Sequence, residues 1–145
     1  LRPPGRPPFL DLLDKGPDDR PIAKQLIEIF TEFGVFVVAT LPCMSALRES
    51  GVPFSQIHGS FDEPPPVRIL KALSAWLAKA AKRGLLHIAD PTATATAMLG
   101  SIHMPVFLKH VTKSETPHDP RGFAETLTNL FLEGLAPKAK RKERA

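Results

Sequence analysis

Cysteine and tyrosine are scarce or missing in this 145-residue chain, which has one cysteine, one tryptophan and no tyrosine. A single cysteine, Cys43, excludes an internal disulfide bond and a zinc site built from several cysteines, so a reducing compartment is expected. The longest apolar stretch, residues 35–47, is interrupted by two polar residues and a proline. It is shorter than the roughly 18 residues of a membrane span. No secretory signal is found, and we predict a cytoplasmic protein with no membrane partner.

The excess positive charge of the chain is confined to its C-terminus. Lysine and arginine number 19 against 15 aspartate and glutamate, but residues 138–145 contain five of these cations and one glutamate. Residues 1–137 therefore carry 14 charges of each sign. Because a nucleic-acid-binding surface needs cations clustered on the folded body, the neutral body argues against one. Residues 138–145 are expected to form a basic disordered tail.

Sixteen prolines divide the rest of the chain. Four lie among the first eight residues, and residues 1–20 are expected to be a Pro-rich arm or linker. Most of the others mark boundaries, since proline fits the first turn of a helix and disrupts its interior. This spacing predicts an all-α fold with helices over about 21–49, 65–84, 91–112 and 120–135. Pro42 and Pro105 fall inside apolar segments, where they are expected to kink the helices.

The last two predicted helices have more apolar surface than one short chain can cover. The second half of 91–112 is apolar almost all round, and 120–135 has one wide apolar face. A second protomer is the expected cover, so we predict a kinked antiparallel helix bundle that dimerises through a four-helix interface. The residues predicted at this interface are Gly100, Ile102, Phe123, Leu127, Leu130 and Phe131.

Patterns typical of catalysis are absent from the sequence. There is no Gly-rich phosphate loop, no serine elbow and no pair of carboxylates at a useful spacing. His103 and His110 share a helical face, but no carboxylate lies between them, and a packed or interfacial pair is favoured over a metal site. Cys43 follows a proline in an apolar run, where burial makes a thiol unreactive. We predict that the protein is not an enzyme and uses no metal or cofactor.

Large apolar side chains with little polarity among them favour a pocket for a small apolar or aromatic molecule. The residues predicted to line it are Phe33, Val37, Leu41, Met44, Trp76, Met98, His103, Met104 and Phe107. The alternative is that these residues are ordinary core. A basic face on the 65–84 helix is open to two interpretations as well, a solvated side or a surface that binds phosphate or a membrane.

Several short motifs occur in an order typical of one family. They are AAKRGLL at 80–86, ADPT at 89–92, Leu99-Gly100, and a final helix that ends in GLAP at 134–137. This order resembles the C-terminal regulatory domain of the tetracycline-repressor (TetR) family, and the segment from Leu41-Pro42 to Leu47 is similar to the kinked helix that often precedes it. The resemblance covers residues 21–137.

The resemblance implies an all-helical, homodimeric sensor of a small molecule. Ligand binding in such a domain normally releases operator DNA from an N-terminal helix-turn-helix. The expected DNA-binding domain is absent from residues 1–20, so operator DNA would be a partner only through that missing domain. A fragment of a longer repressor is the simplest explanation, and a natural stand-alone sensor is the other. From a different class, the alternative function is a helical protein-interaction or scaffold module without a pocket.

Overall fold

The computed structural model describes residues 7–53, 56, 63–115, 117–135 and 137. Five α-helices have described bounds, and they are α1 Phe9–Asp14, α2 Ile22–Glu49, α3 Pro65–Lys82, α4 Pro91–Thr112 and α5 Pro120–Glu133. The described residues contain no strand. The all-α prediction is therefore confirmed. The four predicted helices coincide with α2 to α5 to within two residues at each end. The predicted tail, 138–145, lies outside the described residues.

Proline and aspartate define where the later helices begin. Pro91 and Pro120 occupy the first turns of α4 and α5, where a missing N–H costs nothing. In each case the preceding aspartate is the N-cap. Asp90 Oδ1 accepts a hydrogen bond from Ala93 N at 3.0 Å, and Asp119 Oδ1 accepts one from Gly122 N at 3.0 Å. The helix boundaries therefore follow from local chemistry that the sequence displays directly.

The two interior prolines do not end their helices. Pro42 lies inside α2 and Pro105 inside α4, and both helices continue beyond them. Because proline has no N–H, each removes the hydrogen bond to the carbonyl four residues earlier. The bends expected at these positions stay a prediction.

Contacts between helices set the topology of the bundle. α3 ends beside the start of α2, since Arg83 bonds to residues 17 and 19. After a short turn α4 runs alongside α2, and its Ile102 reaches Gly34 at the middle of α2. α5 begins at the same level with Pro120 and returns along the first half of α2, where the rings of Phe131 and Phe30 lie 6.5 Å apart. Helices α4 and α5 thus pack on α2, and α3 packs on α1 and α4. α5 runs from the level of Gly34 toward the N-terminal half of α2.

Residues 7–20 differ from the arm expected over residues 1–20, and residues 1–6 lie outside the described residues. Residues 9–14 form helix α1, and Phe9, Leu10 and Leu13 on it are buried. The centre of the Phe9 ring lies 5.5 Å from that of Phe33 and 5.4 Å from that of Phe36, with an edge-to-face arrangement in both cases. A six-residue helix is unstable alone, so burial against α2 and α3 stabilises it. Local proline content did not reveal this contribution.

A polar side chain holds the turn between α1 and α2. Gln25 is buried, and its Oε1 accepts from Asp18 N at 2.9 Å. Its Nε2 donates to Asp18 O at 3.1 Å and to Arg20 O at 2.6 Å. The Arg20 guanidinium also donates to the Asp18 side chain, which lowers the pKa of that carboxyl. The backbone groups of this turn are therefore satisfied by protein atoms.

Ion pairs neutralise much of the basic face of α3. Arg68 donates to both carboxylate oxygens of Asp14, at 3.0 and 2.8 Å, and Lys71 pairs with Glu63. Arg83 donates to Asp19 at 2.9 Å and to the Pro17 carbonyl at 2.6 Å. Arg68 and Arg83 thereby link the N-terminal segment to α3, while Lys71 pairs with the residue two places before that helix. They favour the solvated, ion-paired interpretation of this face over phosphate or membrane binding.

Helix α2 is long and apolar enough to cross a membrane by length and composition alone. About a third of its most apolar 18-residue stretch is buried inside the protein. Core helices of soluble proteins meet the same criteria of length and composition. This is weak evidence for a membrane span.

Helices α2, α4 and α5 meet closely at Gly34. A Cβ at this position would lie 3.2 Å from Pro120 Cβ and 3.7 Å from Ile102 Cγ2. The first distance is shorter than an ordinary van der Waals contact, so the absence of a side chain permits the approach.

Gly34→Val should lower the free energy of unfolding by about 1–3 kcal/mol, because its branched side chain overpacks the junction of three helices. Chemical denaturation followed by circular dichroism measures the loss. Ala39→Val is the matched control, since Ala39 is exposed on the same helix and valine there costs only about 0.5 kcal/mol in helix propensity. Equal stability of the two variants would contradict a close approach at Gly34.

Candidate functional site

The inner face of α2 changes from closed to open along its length. Leu26, Phe30, Phe33 and Val37 are buried. At about 100° per residue, Leu41 and Met44 continue the same face, yet both are only half-buried. The apolar core is therefore sealed around the first half of α2 and opens toward its C-terminal half.

Six of the nine predicted ligand-binding residues lie on the inward sides of the helices that surround this core. Phe33 and Val37 of α2, Trp76 of α3 and Met98 of α4 belong to one buried apolar cluster, and Leu41 packs against it. Met44 lies one turn further along α2, half-buried. The structure thus brings side chains from three helices together, with the α2 residues graded from buried to accessible.

The other three predicted ligand-binding residues lie on the outward side of α4. His103, Met104 and Phe107 are exposed, with Met104 at 53% and Phe107 at 43% of full exposure. Helix geometry explains this, because Ala95, Met98, Ile102 and Val106 form the buried face of α4. At about 100° per residue, Met104 and Phe107 point away from that face. Within one chain they do not share an enclosed space with Trp76 and Met98.

The six residues predicted at the dimer interface are also divided by the structure. Gly100 and Leu130 are exposed, and Phe123 and Phe131 are half-buried. Ile102 and Leu127 are buried within the core of the chain itself. α5 uses the centre of its apolar face to pack on α2, so only the flank of that face that carries Leu130 and Phe123 remains accessible. The interface prediction itself is not tested by the structure of one chain.

Two exposed apolar surfaces remain in the described part of the chain. The first is the outer face of α4, where Leu108 and Val111 join Met104 and Phe107 at about half exposure. The second is on α2, where Val35 and Val38 are 52% and 42% exposed. Our predicted site residues did not include Leu108, Val111, Val35 or Val38. The spacing of Met104, Phe107 and Val111 by three and four residues was the signal for the α4 surface.

Titratable groups do not assemble into a reactive centre in the described residues. No group of three or more His, Cys, Asp or Glu side chains there has a geometry that could hold a metal ion. Cys43 is half-buried. His118 packs against Phe123 with ring centres 6.1 Å apart, and its Nε2 is buried without a hydrogen-bond partner.

A shallow open depression of about 280 Å³ lies between the end of α4 and the segment that leads to α5. The residues that line it are Pro105, Leu108, Lys109, Thr112, Ser114, Pro117 and His118. His118 Nε2 is buried. A ligand in the depression therefore could not form a hydrogen bond with this nitrogen. The depression is a weaker candidate than the apolar core between α2, α3 and α4.

Comparison with known families identifies a match. The sequence profile described as "AefR-like transcriptional repressor, C-terminal domain" matches residues 39–133, about two thirds of the chain. The match includes the second half of α2 and all of α3, α4 and α5, and therefore both the open end of the core and the outer face of α4. Comparison with curated proteins and with solved structures gave no match.

Proposed function

We propose that this chain, which belongs to the family of AefR-like transcriptional repressor C-terminal domains, senses a small apolar molecule. The family is a TetR-type regulatory domain rather than an enzyme. In the proposed scheme, ligand binding here releases operator DNA from an N-terminal helix-turn-helix domain. We further propose that the protein works in the cytoplasm, where a repressor meets its DNA.

The observation that carries the proposal is the graded burial along the inner face of α2. Leu41 and Met44 mark the entrance, and Val37 and Phe33 form the next, buried layer. Trp76 and Met98 are buried members of the same apolar cluster, and we assign them to the deeper wall. Because these walls are apolar and include two methionines with adaptable side chains, they favour a planar aromatic or an aliphatic ligand over a charged one.

The proposed ligand enters at the open end and separates the C-terminal halves of α2 and α4. The buried side chains must move aside to admit it, since they are already packed together. Phe33 also contacts Phe9 of α1, so a ligand in this layer changes how the N-terminal segment is held. We retain Phe33, Val37, Leu41, Met44, Trp76 and Met98 as the proposed pocket, and assign His103, Met104 and Phe107 to the dimer surface.

Filling the entrance should abolish binding. In a panel of indole, naphthalene, p-cresol and decanoic acid, a compound present at 100 times its Kd stabilises the fold by about 2.7 kcal/mol. That corresponds to a rise in Tm of roughly 8 °C for a chain of this size. Met44→Trp should remove this rise because the indole occupies the entrance. The measurement is a thermal melt with and without each compound. In the unmodified chain, Trp76 emission with decanoic acid, which does not fluoresce, also reports the core.

Ala39→Trp is the matched control for the entrance variant. Ala39 lies five residues before Met44 on the exposed outer face of α2, so the same indole there should leave the ligand-induced rise intact. If none of the compounds changes Tm and decanoic acid leaves Trp76 emission unchanged in the unmodified chain, the pocket proposal loses its support. The scaffold function, a protein-interaction module without a pocket, would then be favoured.

We also propose that the chain is a homodimer in which α4 and α5 meet their counterparts. The support is the apolar surface that one chain leaves open on these helices, namely Met104, Phe107, Leu108 and Val111 of α4 and Leu130 of α5. An exposed surface with this many apolar side chains is typical of a protein–protein interface.

Leu130→Asp should convert the dimer to folded monomers. Leu130 is 43% exposed in one chain, so the carboxylate stays hydrated in the monomer but would be desolvated at an interface. Sedimentation velocity at micromolar concentration, with circular dichroism to verify folding, gives the answer. Asn129→Asp, an exposed neighbour, introduces the same charge and should leave the dimer intact. A monomeric unmodified chain would overturn the homodimer proposal.

A further inference from the structure

The outer face of α4 has a repeating seam that its buried face does not use. Its members recur at alternating steps of four and three residues, and they are Ala93, Ala97, Gly100, Met104, Phe107 and Val111. At about 100° per residue they occupy an arc of roughly 80° opposite the buried residues of α4. All six are exposed. Alternating steps of four and three are the spacing of helices that pair along their length.

Side-chain size along this seam changes from one end to the other. The N-terminal three members are alanine, alanine and glycine, and the C-terminal three are methionine, phenylalanine and valine. The pattern is symmetric about position 102. Residues nine, five and two places before that position are small, and residues nine, five and two places after it are large.

We propose that α4 pairs antiparallel with α4 of a second copy of this chain, with the two-fold axis at the level of residue 102. The inference rests on the proposed homodimer and specifies its register. Each small residue then receives a large one from the second copy, with Gly100 opposite Met104, Ala97 opposite Phe107, and Ala93 opposite Val111. A two-fold interface requires this reciprocity, because residue i meets residue j and j meets i.

Antiparallel pairing matches the distribution of bulk, and parallel pairing does not. In a parallel pair the small halves would face each other and leave a gap, while Phe107 and Met104 would face their own copies and force the helices apart. In the antiparallel pair every level combines one small and one large side chain. The two helix axes can therefore stay at one separation over the whole seam, which packs without voids.

Charge at the two ends of the seam also fits a second copy in this direction. None of the six seam residues carries a charge. An acid, Asp90, lies at the N-terminal end and a base, Lys113, at the C-terminal end, both exposed. Antiparallel pairing about position 102 brings the Asp90 end of each helix level with the Lys113 end of the second copy, whereas parallel pairing brings ends of like charge together. The helix dipoles are also opposed, which is favourable.

The backbones approach most closely at Gly100. In one chain, a Cβ at this position would meet no atom within 4 Å, so the fold of the monomer does not require glycine here. Glycine inside a helix costs about 0.5–1 kcal/mol relative to alanine. The proposed pairing supplies a reason for it, because Met104 of the second copy occupies the space that a side chain would fill.

Exchange of one small and one large residue tests the register. Phe107→Ala should weaken dimerisation roughly 100-fold, because an aromatic anchor is lost on both sides of the axis. Ala97→Phe should weaken it as well, since two phenylalanines then compete for one level. The double variant Ala97→Phe, Phe107→Ala restores a small-to-large pair at both levels. Its dimer dissociation constant, from sedimentation equilibrium of the full chain, should return to within about 10-fold of the unmodified value.

Disulfide cross-linking tests the same register without relying on compensation. In a Cys43→Ser background, the double variant Ala97→Cys, Phe107→Cys should form a covalent dimer under mild oxidation. Neither single variant should, because equal positions in the two copies would be offset by about 15 Å along the axis at 1.5 Å per residue. That separation is beyond the reach of a disulfide, about 7 Å between Cα atoms. Both positions are exposed, and thermal melts verify that each variant folds.

The results distinguish the register from the homodimer on which it rests. Recovery in the double exchange together with selective cross-linking supports the antiparallel register. A dimer that persists while the effects of Ala97→Phe and Phe107→Ala simply add, or while the cysteine pair does not cross-link, overturns the register and leaves the homodimer standing. An unmodified chain that is monomeric at micromolar concentration overturns both.

Discussion

The close approach of three helices at Gly34 is the constraint on which the rest of this bundle depends. α5 begins against it, and Ile102 of α4 packs beside it. Because α2 presents no side chain there, α4 and α5 reach the same level of the bundle. Burial of Ile102 at this junction, together with Ala95, Met98 and Val106, sets the rotation of α4 about its own axis. That rotation directs Gly100, Met104 and Phe107 outward, where they are available to a partner.

The same constraint separates the two proposed activities in space. α5 starts at the level of Gly34 and returns toward the N-terminal end of α2, so it leaves the C-terminal half of α2 without that cover. The core is sealed along α2 as far as Val37 and more accessible beyond it, where Leu41 and Met44 lie. The proposed ligand site at the open end and the proposed pairing seam on the outer face of α4 therefore share one helix but not one surface. Movement of α4 by a ligand would reach both.

The N-terminal segment is held to this core by apolar and polar contacts together. Phe9 packs against two phenylalanines of α2, and Gln25 satisfies the backbone of the turn that follows. Arg68 and Arg83 of α3 add exposed ion pairs, each of which contributes little alone. Burial of the apolar side chains of α1 is the main stabilising contribution, and the ion pairs orient the segment. The cations of α3 thereby serve the fold, and the basic face needs no nucleic acid or lipid to explain it.

The sequence by itself determined the four long helices and the family, because prolines, capping aspartates and glycines act locally, whatever the helices pack against. It did not determine α1, since six residues acquire helical structure only through burial against other helices. Nor did it determine which apolar residues face inward. The second half of α4 is apolar almost all round, so its hydrophobic periodicity does not indicate a buried side. From the sequence alone, Ile102 and Phe107 are equally good candidates for the core. Only the tertiary structure, through the contact of Ile102 with Gly34, decided that one lies in the core and the other on the surface.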